Sequence, residues 1–172
     1  MASWKSLIKN SLLRYSLTSH FDKINYSTAI AILNYNGVDF LKKYLPTVIK
    51  YKPSHVALYV IDNASTDDSV VYFKRNYSNV GLIELRKNYG YAQGYNKGLT
   101  QIDADYFLLI NSDIEIKGDW IEPLIEKMRS NRFIAAVQPK IKSIENPEKF
   151  EYAGAAGGFI DLLGFPFCEG RM

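Results

Sequence analysis

The sequence is poor in the residues that build disulfides, zinc clusters and membrane spans. Its 172 residues include one cysteine, Cys168, and two histidines, His20 and His55. A single cysteine excludes an internal disulfide and a cysteine-based zinc cluster, so a metal site would have to use carboxylates. Because no run of about 18 apolar residues is free of charge, we predict no transmembrane helix.

Charge of one sign is not in excess either. The chain has 21 Lys+Arg and 18 Asp+Glu, a net charge of +3. So small a surplus is not the signature of a nucleic-acid-binding protein, and we expect no nucleic-acid partner. The apolar share of 47% and the charged share of 23% are ordinary for a globular protein of about one domain.

From residue 27 onward, short apolar runs alternate with segments of helical periodicity. This alternation predicts an α/β fold with an open, mostly parallel sheet and helices on both faces. The remainder, Lys140–Met172, is rich in glycine and aromatic residues and predicts loops and a hairpin. The predicted strands are Ser27–Asn34, His55–Asp62, Val80–Leu85, Asp105–Ile110 and Phe133–Gln138, and the predicted helices are Gly37–Lys50, Asp68–Asn76, Tyr91–Gln101 and Trp120–Met128.

The first 26 residues predict an extension that precedes the domain formed by residues 27–172. Apolar residues recur there at helical spacing, which indicates an amphipathic helix. Three interpretations stay open: a helix that packs on its own domain, a helix whose residues 1–20 contact a membrane surface, or a frayed end. The apolar positions are Trp4, Leu7, Ile8, Leu12 and Tyr15.

Polar residues follow each of the first four predicted strands. They form the segments Asn34–Gly37, Asp62–Ser65, Arg86–Gly90 and Asn111–Asp113. Ligands of open parallel sheets bind beyond the carboxyl ends of the strands, so these segments predict a pocket for a polar ligand. The glycine fingerprints of dinucleotide-binding folds and of P-loops are absent, which argues against both ligand types.

Carboxylates and glycines in these segments give the pocket candidate roles. Asp113 follows an apolar strand that we expect to be buried, and Mg²⁺ or Mn²⁺ is often held by one or two carboxylates plus phosphate oxygens. Alternatively, Asp113 caps a helix or lies solvated in a loop. Gly90, Gly94 and Gly98 recur at intervals of four, so their helix is expected to lie close to the sheet or to a ligand.

Four blocks of sequence, in this order, resemble the family 2 glycosyltransferases of the GT-A fold. The resemblance covers about Ser27 to Gly158. Within the family the pattern is most similar to bacterial rhamnosyltransferase-type enzymes of cell-surface polysaccharide assembly, whose metal motif often reads Asn-x-Asp. The blocks are AILNYNG, VIDNASTDDS, RKNYGYAQGYNKGL and YFLLINSDIEI.

The resemblance implies a site for a nucleotide-sugar donor, a UDP- or dTDP-sugar. It also implies a divalent cation, Mg²⁺ or Mn²⁺, that Asp113 bridges to the diphosphate. Asp62 would contact the base or the ribose. The residues implied in donor binding are Asn34, Asn36, Asp62, Asn63, Ser65, Asn88, Gly90, Asn96 and Asn111.

The implied reaction is inverting transfer of the sugar to a cell-surface glycan or a lipid-linked acceptor. We expect it in the cytoplasm, at the inner face of the membrane if the N-terminal helix contacts lipid. The family's catalytic base usually lies well beyond the loop Gly154–Gly158, so we expect it beyond residue 172. The chain is therefore expected to hold the donor-binding half of an enzyme. The alternative is a nucleotide-sugar-binding or interaction module without catalysis.

Overall fold

A computed structural model describes residues 26–151, 158–160, 162–163 and 166–168. The predicted N-terminal helix and residues 154–157 of the glycine-rich loop lie outside the described residues, and a domain boundary after residue 26 stays a prediction. The chain divides into two compact units between Glu115 and Ile116. In the described parts, no helix is long and apolar enough to cross a membrane.

The described part of the first unit alternates strands and helices. Its four strands form one parallel sheet in the order β3-β2-β1-β4. This confirms the predicted α/β fold. The elements are β1 (Thr28–Asn34), α1 (Val38–Tyr51), β2 (Ala57–Asp62), α2 (Ser69–Asn76), β3 (Gly81–Glu84), α3 (Tyr91–Leu99) and β4 (Tyr106–Asn111).

Helices cover both faces of this sheet, as predicted. Successive side chains of a strand point to opposite faces. On one face, Ala29, Ala31 and Ile61 pack with Tyr95 of α3 in a buried cluster. The alternate residues of β1 and β2 face the other side and are also buried, as are the apolar stripes of α1 and α2. These residues are Ile30, Ile32, Leu58, Val60, Leu41, Leu45, Val48 and Phe73.

Glycines bring α3 close to the sheet. A Cβ atom at Gly98 would clash with the side chain of Ile61. One at Gly94 would lie 3.1 Å from the side-chain nitrogen of Asn63 and 3.1 Å from Cδ1 of Leu33. Close packing therefore accounts for both glycines. Gly90 differs, because no atom lies within 4 Å of its Cβ position and its φ of +74° is left-handed.

The prediction that the fourth strand is buried is wrong for most of its length. β4 is the edge strand of the described sheet, and Phe107 and Leu109 are 38% and 49% exposed. They are in register with Ala29 and Ala31, and so lie on the α3 face of the sheet. An apolar run marks a strand, but it does not tell a central strand from an edge strand.

The described part of the second unit contains one helix, one hairpin and an isolated antiparallel bridge between Lys142 and Phe150. The helix, α4 (Ile121–Ser130), and an antiparallel pair, β5 (Gly158–Ile160) with β6 (Pro166–Cys168), confirm two predictions. The predicted strand Phe133–Gln138 is wrong, since this segment is irregular and Phe133 is 79% exposed. A segment with strand propensity forms a strand only when it has a pairing partner, and no described strand pairs with this segment.

Candidate functional site

A pocket opens at the carboxyl ends of β1, β2 and β4, beside the start of α3. Its volume is about 340 Å³. It lies within the first unit, at the sheet edge where the polar strand ends predicted it. The residues that line it are Leu33, Tyr35, Asn63, Asn88, Gly90, Tyr91, Asn111, Ser112 and Asp113.

Next to the pocket-lining residues Leu33 and Asn63, the ends of β1 and β2 form a largely buried polar network. Asn34 is fully buried, and its amide nitrogen donates to Asp62 Oδ1 at 3.1 Å and to Ser65 Oγ at 3.2 Å. Asp62, 3% exposed, also accepts from the Ser65 amide at 2.9 Å and from Ser65 Oγ at 2.6 Å. None of the three lines the pocket. Their implied contact with a donor stays a prediction.

Asn36 joins the turn after β1 to the turn after β2. Its φ is +50°, a conformation that asparagine tolerates better than most residues. Asn36 Oδ1 accepts from the backbone amide of Thr66 at 2.7 Å, and the backbone amide of Asn36 donates to Ser65 Oγ at 2.9 Å. The structure thus places Asn36 outside the pocket lining, as a link between two turns.

Asp67 extends that link to the starts of two helices. Its carboxylate accepts from the amide of Val38 at 3.0 Å and from the amide of Ser69 at 3.0 Å. Partial burial raises the pKa of Asp67, but the hydrogen bonds from Ser69 and Val38 outweigh it and leave the pKa below its ordinary value. The carboxylate is therefore the form that this turn stabilises.

Asn63 holds the loop that leads into α3. Its Oδ1 accepts from the Tyr89 amide at 2.9 Å, and its amide nitrogen donates to Asn88 Oδ1 at 3.0 Å and to the Gly90 carbonyl at 3.1 Å. Asn88 Oδ1 also accepts from the Gly90 amide at 2.7 Å. Three predicted residues, Asn63, Asn88 and Gly90, thus meet where α3 begins, and a helix start attracts anions.

Two tyrosines that are not among the predicted site residues connect α3 to the end of β4. The Tyr91 hydroxyl donates to Asn111 Oδ1 at 3.0 Å, and the Tyr95 hydroxyl donates to the Ile110 carbonyl at 2.8 Å. Burial raises the pKa of Tyr95 far above its ordinary value. The spacing of four residues, which puts both rings on one side of a helix, was a signal in the sequence. Tyr35 was missed as well, and it also lines the pocket.

Asp113 lies exposed in the turn after β4, beside Ser112 and Asn111. In the described residues, no group of three or more His, Cys, Asp or Glu side chains is placed to hold a metal ion. Since Mg²⁺ is commonly held by one or two carboxylates and phosphate oxygens, Asp113 fits a cation that arrives with a diphosphate. Asn96 is exposed on α3 and does not line the pocket.

Comparison with known proteins assigns the chain to a family. The sequence profile of glycosyl transferase family 2 matches residues 29–163. The chain belongs to glycosyl transferase family 2. This membership covers both the sheet and the pocket, and it confirms the family that the four sequence blocks indicated.

Two proteins with similar sequences are poly-β-1,6-N-acetyl-D-glucosamine synthases. The protein from Staphylococcus aureus is 24% identical over 156 residues, covering 84% of this chain and 38% of the relative. That from Staphylococcus epidermidis is 25% identical over 132 residues, covering 72% of this chain and 32% of the relative. The chain therefore spans well under half the length of these curated relatives.

Solved structures of glycosyltransferases share the fold. The mannosyltransferase PcManGT from Pyrobaculum calidifontis, in complex with GDP-Man and Mn²⁺, matches with a TM-score of 0.54 at 15% identity, covering 77% of this chain and 43% of its own. TarS 1–349 from S. aureus, in complex with UDP, also matches with a TM-score of 0.54, at 17% identity, covering 68% and 40%. The fold of the family 2 chain is therefore the GT-A fold.

Proposed function

We propose that this chain carries the donor-binding part of a glycosyltransferase that uses a nucleotide sugar, with UDP-sugars as the first candidates. The observation that carries the proposal is the pocket itself. It brings together the start of α3, the Asn63–Asn88 pair and the segment Asn111–Asp113. PcManGT with GDP-Man and TarS with UDP, which share the fold, support a nucleotide ligand.

The pocket offers complementary groups to a diphosphate. The first backbone N–H groups of a helix have no partner within the helix, and they carry partial positive charge. In α3 they follow Gly90, which lines the pocket. Asp113 would hold a Mg²⁺ or Mn²⁺ ion, which would neutralise charge on the leaving diphosphate. Support for the cation comes from Asp113 and from the Mn²⁺ that accompanies PcManGT.

The acceptor and the stereochemistry belong to the proposal too. We propose inverting transfer to a polysaccharide or lipid-linked acceptor, and polysaccharide synthases among the relatives support a glycan product. Rhamnose as the sugar rests on the Asn-x-Asp resemblance alone. Cytoplasmic location at the inner membrane face rests on residues 1–20. A liposome flotation assay without binding, with and without anionic lipid, would contradict the membrane contact.

A module that binds nucleotide sugars without catalysis is the second candidate. Asp113 is the only carboxylate among the residues that line the described pocket, and it is assigned to the cation. A base for the acceptor hydroxyl would have to come from outside that lining. The two candidates share the donor site and differ in sugar transfer. A sugar-transfer assay on this chain, run beside a full-length relative as the positive control, would separate them.

Calorimetry with UDP, dTDP, GDP and NAD, each with and without Mn²⁺, tests the donor site. We expect at least one nucleoside diphosphate to bind more tightly with Mn²⁺, and NAD not to bind. Asp113→Ala should abolish the effect of Mn²⁺. Asp103→Ala, which removes an exposed carboxylate outside the pocket, is the matched control and should bind as the wild type does. A folded wild type that binds none of the diphosphates would overturn the proposal.

A further inference from the structure

Two tyrosines of α3 reach two consecutive residues at the end of β4. Tyr91 donates to the Asn111 side chain at 3.0 Å, and Tyr95, one helical turn later, donates to the Ile110 carbonyl at 2.8 Å. The two rings contact each other edge to face, with centroids 5.2 Å apart. The start of α3 and the turn that carries Asp113 are therefore connected by side chains as well as by the sheet.

The buried tyrosine supports the exposed one. Tyr95 is 3% exposed, and it packs in the core cluster with Ala31 and Ile61. Tyr91 is 64% exposed, so its hydroxyl would sample many positions without a support. The edge-to-face contact with Tyr95 and the hydrogen bond to Asn111 restrict the Tyr91 ring to one side of the pocket.

This arrangement decides what Asn111 offers to a ligand. A carboxamide has one acceptor oxygen and two N–H donors. The oxygen of Asn111 receives the Tyr91 hydroxyl, and in the described part of the chain this is the only hydrogen bond of the side chain. The two N–H groups remain for the pocket that Asn111 lines. An asparagine held in this way presents donors, whereas an aspartate would present acceptors and a negative charge.

We propose that Tyr91 is a positioning residue that fixes Asn111 as a hydrogen-bond donor to an oxygen of a nucleoside diphosphate, and that the cation depends on Asp113 alone. The inference rests on the proposed donor site and goes beyond it. It assigns different roles to the first polar residue of Asn111-x-Asp113, which is Asn111, and to the second, which is Asp113. The first binds an anion directly, and its contribution does not require a cation. The second binds the nucleotide through the cation.

A double-mutant cycle with UDP tests this separation. Tyr91→Phe should weaken UDP binding about 3- to 10-fold, the range expected for one hydrogen bond, and equally with and without Mn²⁺. Asn111→Ala should weaken it at least as much. Because Tyr91 acts through Asn111, Tyr91→Phe should have no further effect in the Asn111→Ala background. A purely structural role for Tyr91 would instead give additive losses.

Asn111→Asp sharpens the test because it keeps the shape and inverts the chemistry. UDP binding without Mn²⁺ should fall more than binding with Mn²⁺, since a carboxylate repels the diphosphate and attracts the cation. Tyr51→Phe, which removes a hydroxyl at the distant end of α1, is the matched control and should not change the affinity. Thermal unfolding of every variant shows whether the fold is retained.

The outcomes separate this inference from the donor site on which it rests. If wild type binds UDP but Tyr91→Phe binds it equally well, the inference is wrong and the donor site stands. The inference is equally wrong if Tyr91→Phe acts only in the presence of Mn²⁺. If wild type binds no nucleoside diphosphate, both fail.

Discussion

The polar ends of neighbouring strands behave differently in this protein. At β1 and β2, Asn34, Asp62 and Ser65 bond to one another. At β4, Asn111 and Asp113 are exposed, and Tyr91 leaves the amide donors of Asn111 available. The comparison teaches that polar side chains at a strand end either bond mainly to one another, as Asn34, Asp62 and Ser65 do, or present their groups to the pocket, as Asn111 does. We call Asn34, Asp62 and Ser65 the closed network, and Asn111 and Asp113 the open end.

The closed network should carry the largest effect on stability. Asp62→Ala removes one of the two acceptors of the Asn34 side chain and the acceptor of both the Ser65 backbone amide and the Ser65 hydroxyl. Leaving a buried donor without a partner costs about 1–3 kcal/mol, so we expect a loss of about 2–4 kcal/mol in the free energy of unfolding. Urea denaturation measures it. Asp113→Ala at the open end should stay within about 0.5 kcal/mol of wild type. Equal losses for the two variants would contradict the distinction.

A smaller effect is expected for Tyr95, which connects α3 to the end of β4. Tyr95→Phe leaves the Ile110 carbonyl without its side-chain donor, which should lower the free energy of unfolding by about 1–2 kcal/mol. Tyr91→Phe, on the exposed side of the same helix, should cost less than about 0.5 kcal/mol. Urea denaturation of both variants checks the order. A greater loss for Tyr91→Phe would mean that the exposed ring supports the fold.

The smallest effect concerns pH. The pKa of Asp67 is lower in the folded chain than its ordinary value, so its contribution to stability is present at neutral pH and is lost as the pH falls through the folded pKa. Asp67→Asn should therefore be less stable than wild type at pH 6, and the difference should shrink towards pH 3. Thermal unfolding at several pH values measures it, with Asp39→Asn as the exposed control. A difference that is constant with pH would contradict this role of the carboxylate.

Local patterns were sufficient to predict the fold and the edge at which the pocket lies. Apolar runs and helical spacing located four parallel strands and their helices, because both signals depend on neighbouring residues. The prediction that Phe107 and Leu109 are buried is wrong, because an edge position depends on which strands pair. The predicted strand Phe133–Gln138 is wrong because this segment has strand propensity but no partner in the described sheet.

Five of the predicted site residues line the pocket, and the sequence does not reveal which of the polar strand ends face away from it. Asn34 and Asn111 both end strands, yet the first is fully buried and the second exposed. What distinguishes them is the set of hydrogen-bond partners, Asp62 and Ser65 for one and Tyr91 for the other. Such partners come from distant parts of the chain, so a single sequence does not reveal them.

The central claim is that the open end binds a nucleoside diphosphate, while the closed network holds the neighbouring ends of β1 and β2 in place. Amide NMR spectra of ¹⁵N-labelled protein, titrated with UDP and then with Mn²⁺, test this most directly. We predict that UDP shifts the signals of Gly90, Tyr91 and Asn111, and that Mn²⁺ then broadens the signals around Asp113 most strongly. Ser65 and Thr66 should change far less. The largest changes at Ser65 and Thr66, or no change at either region of a folded protein, would contradict the account.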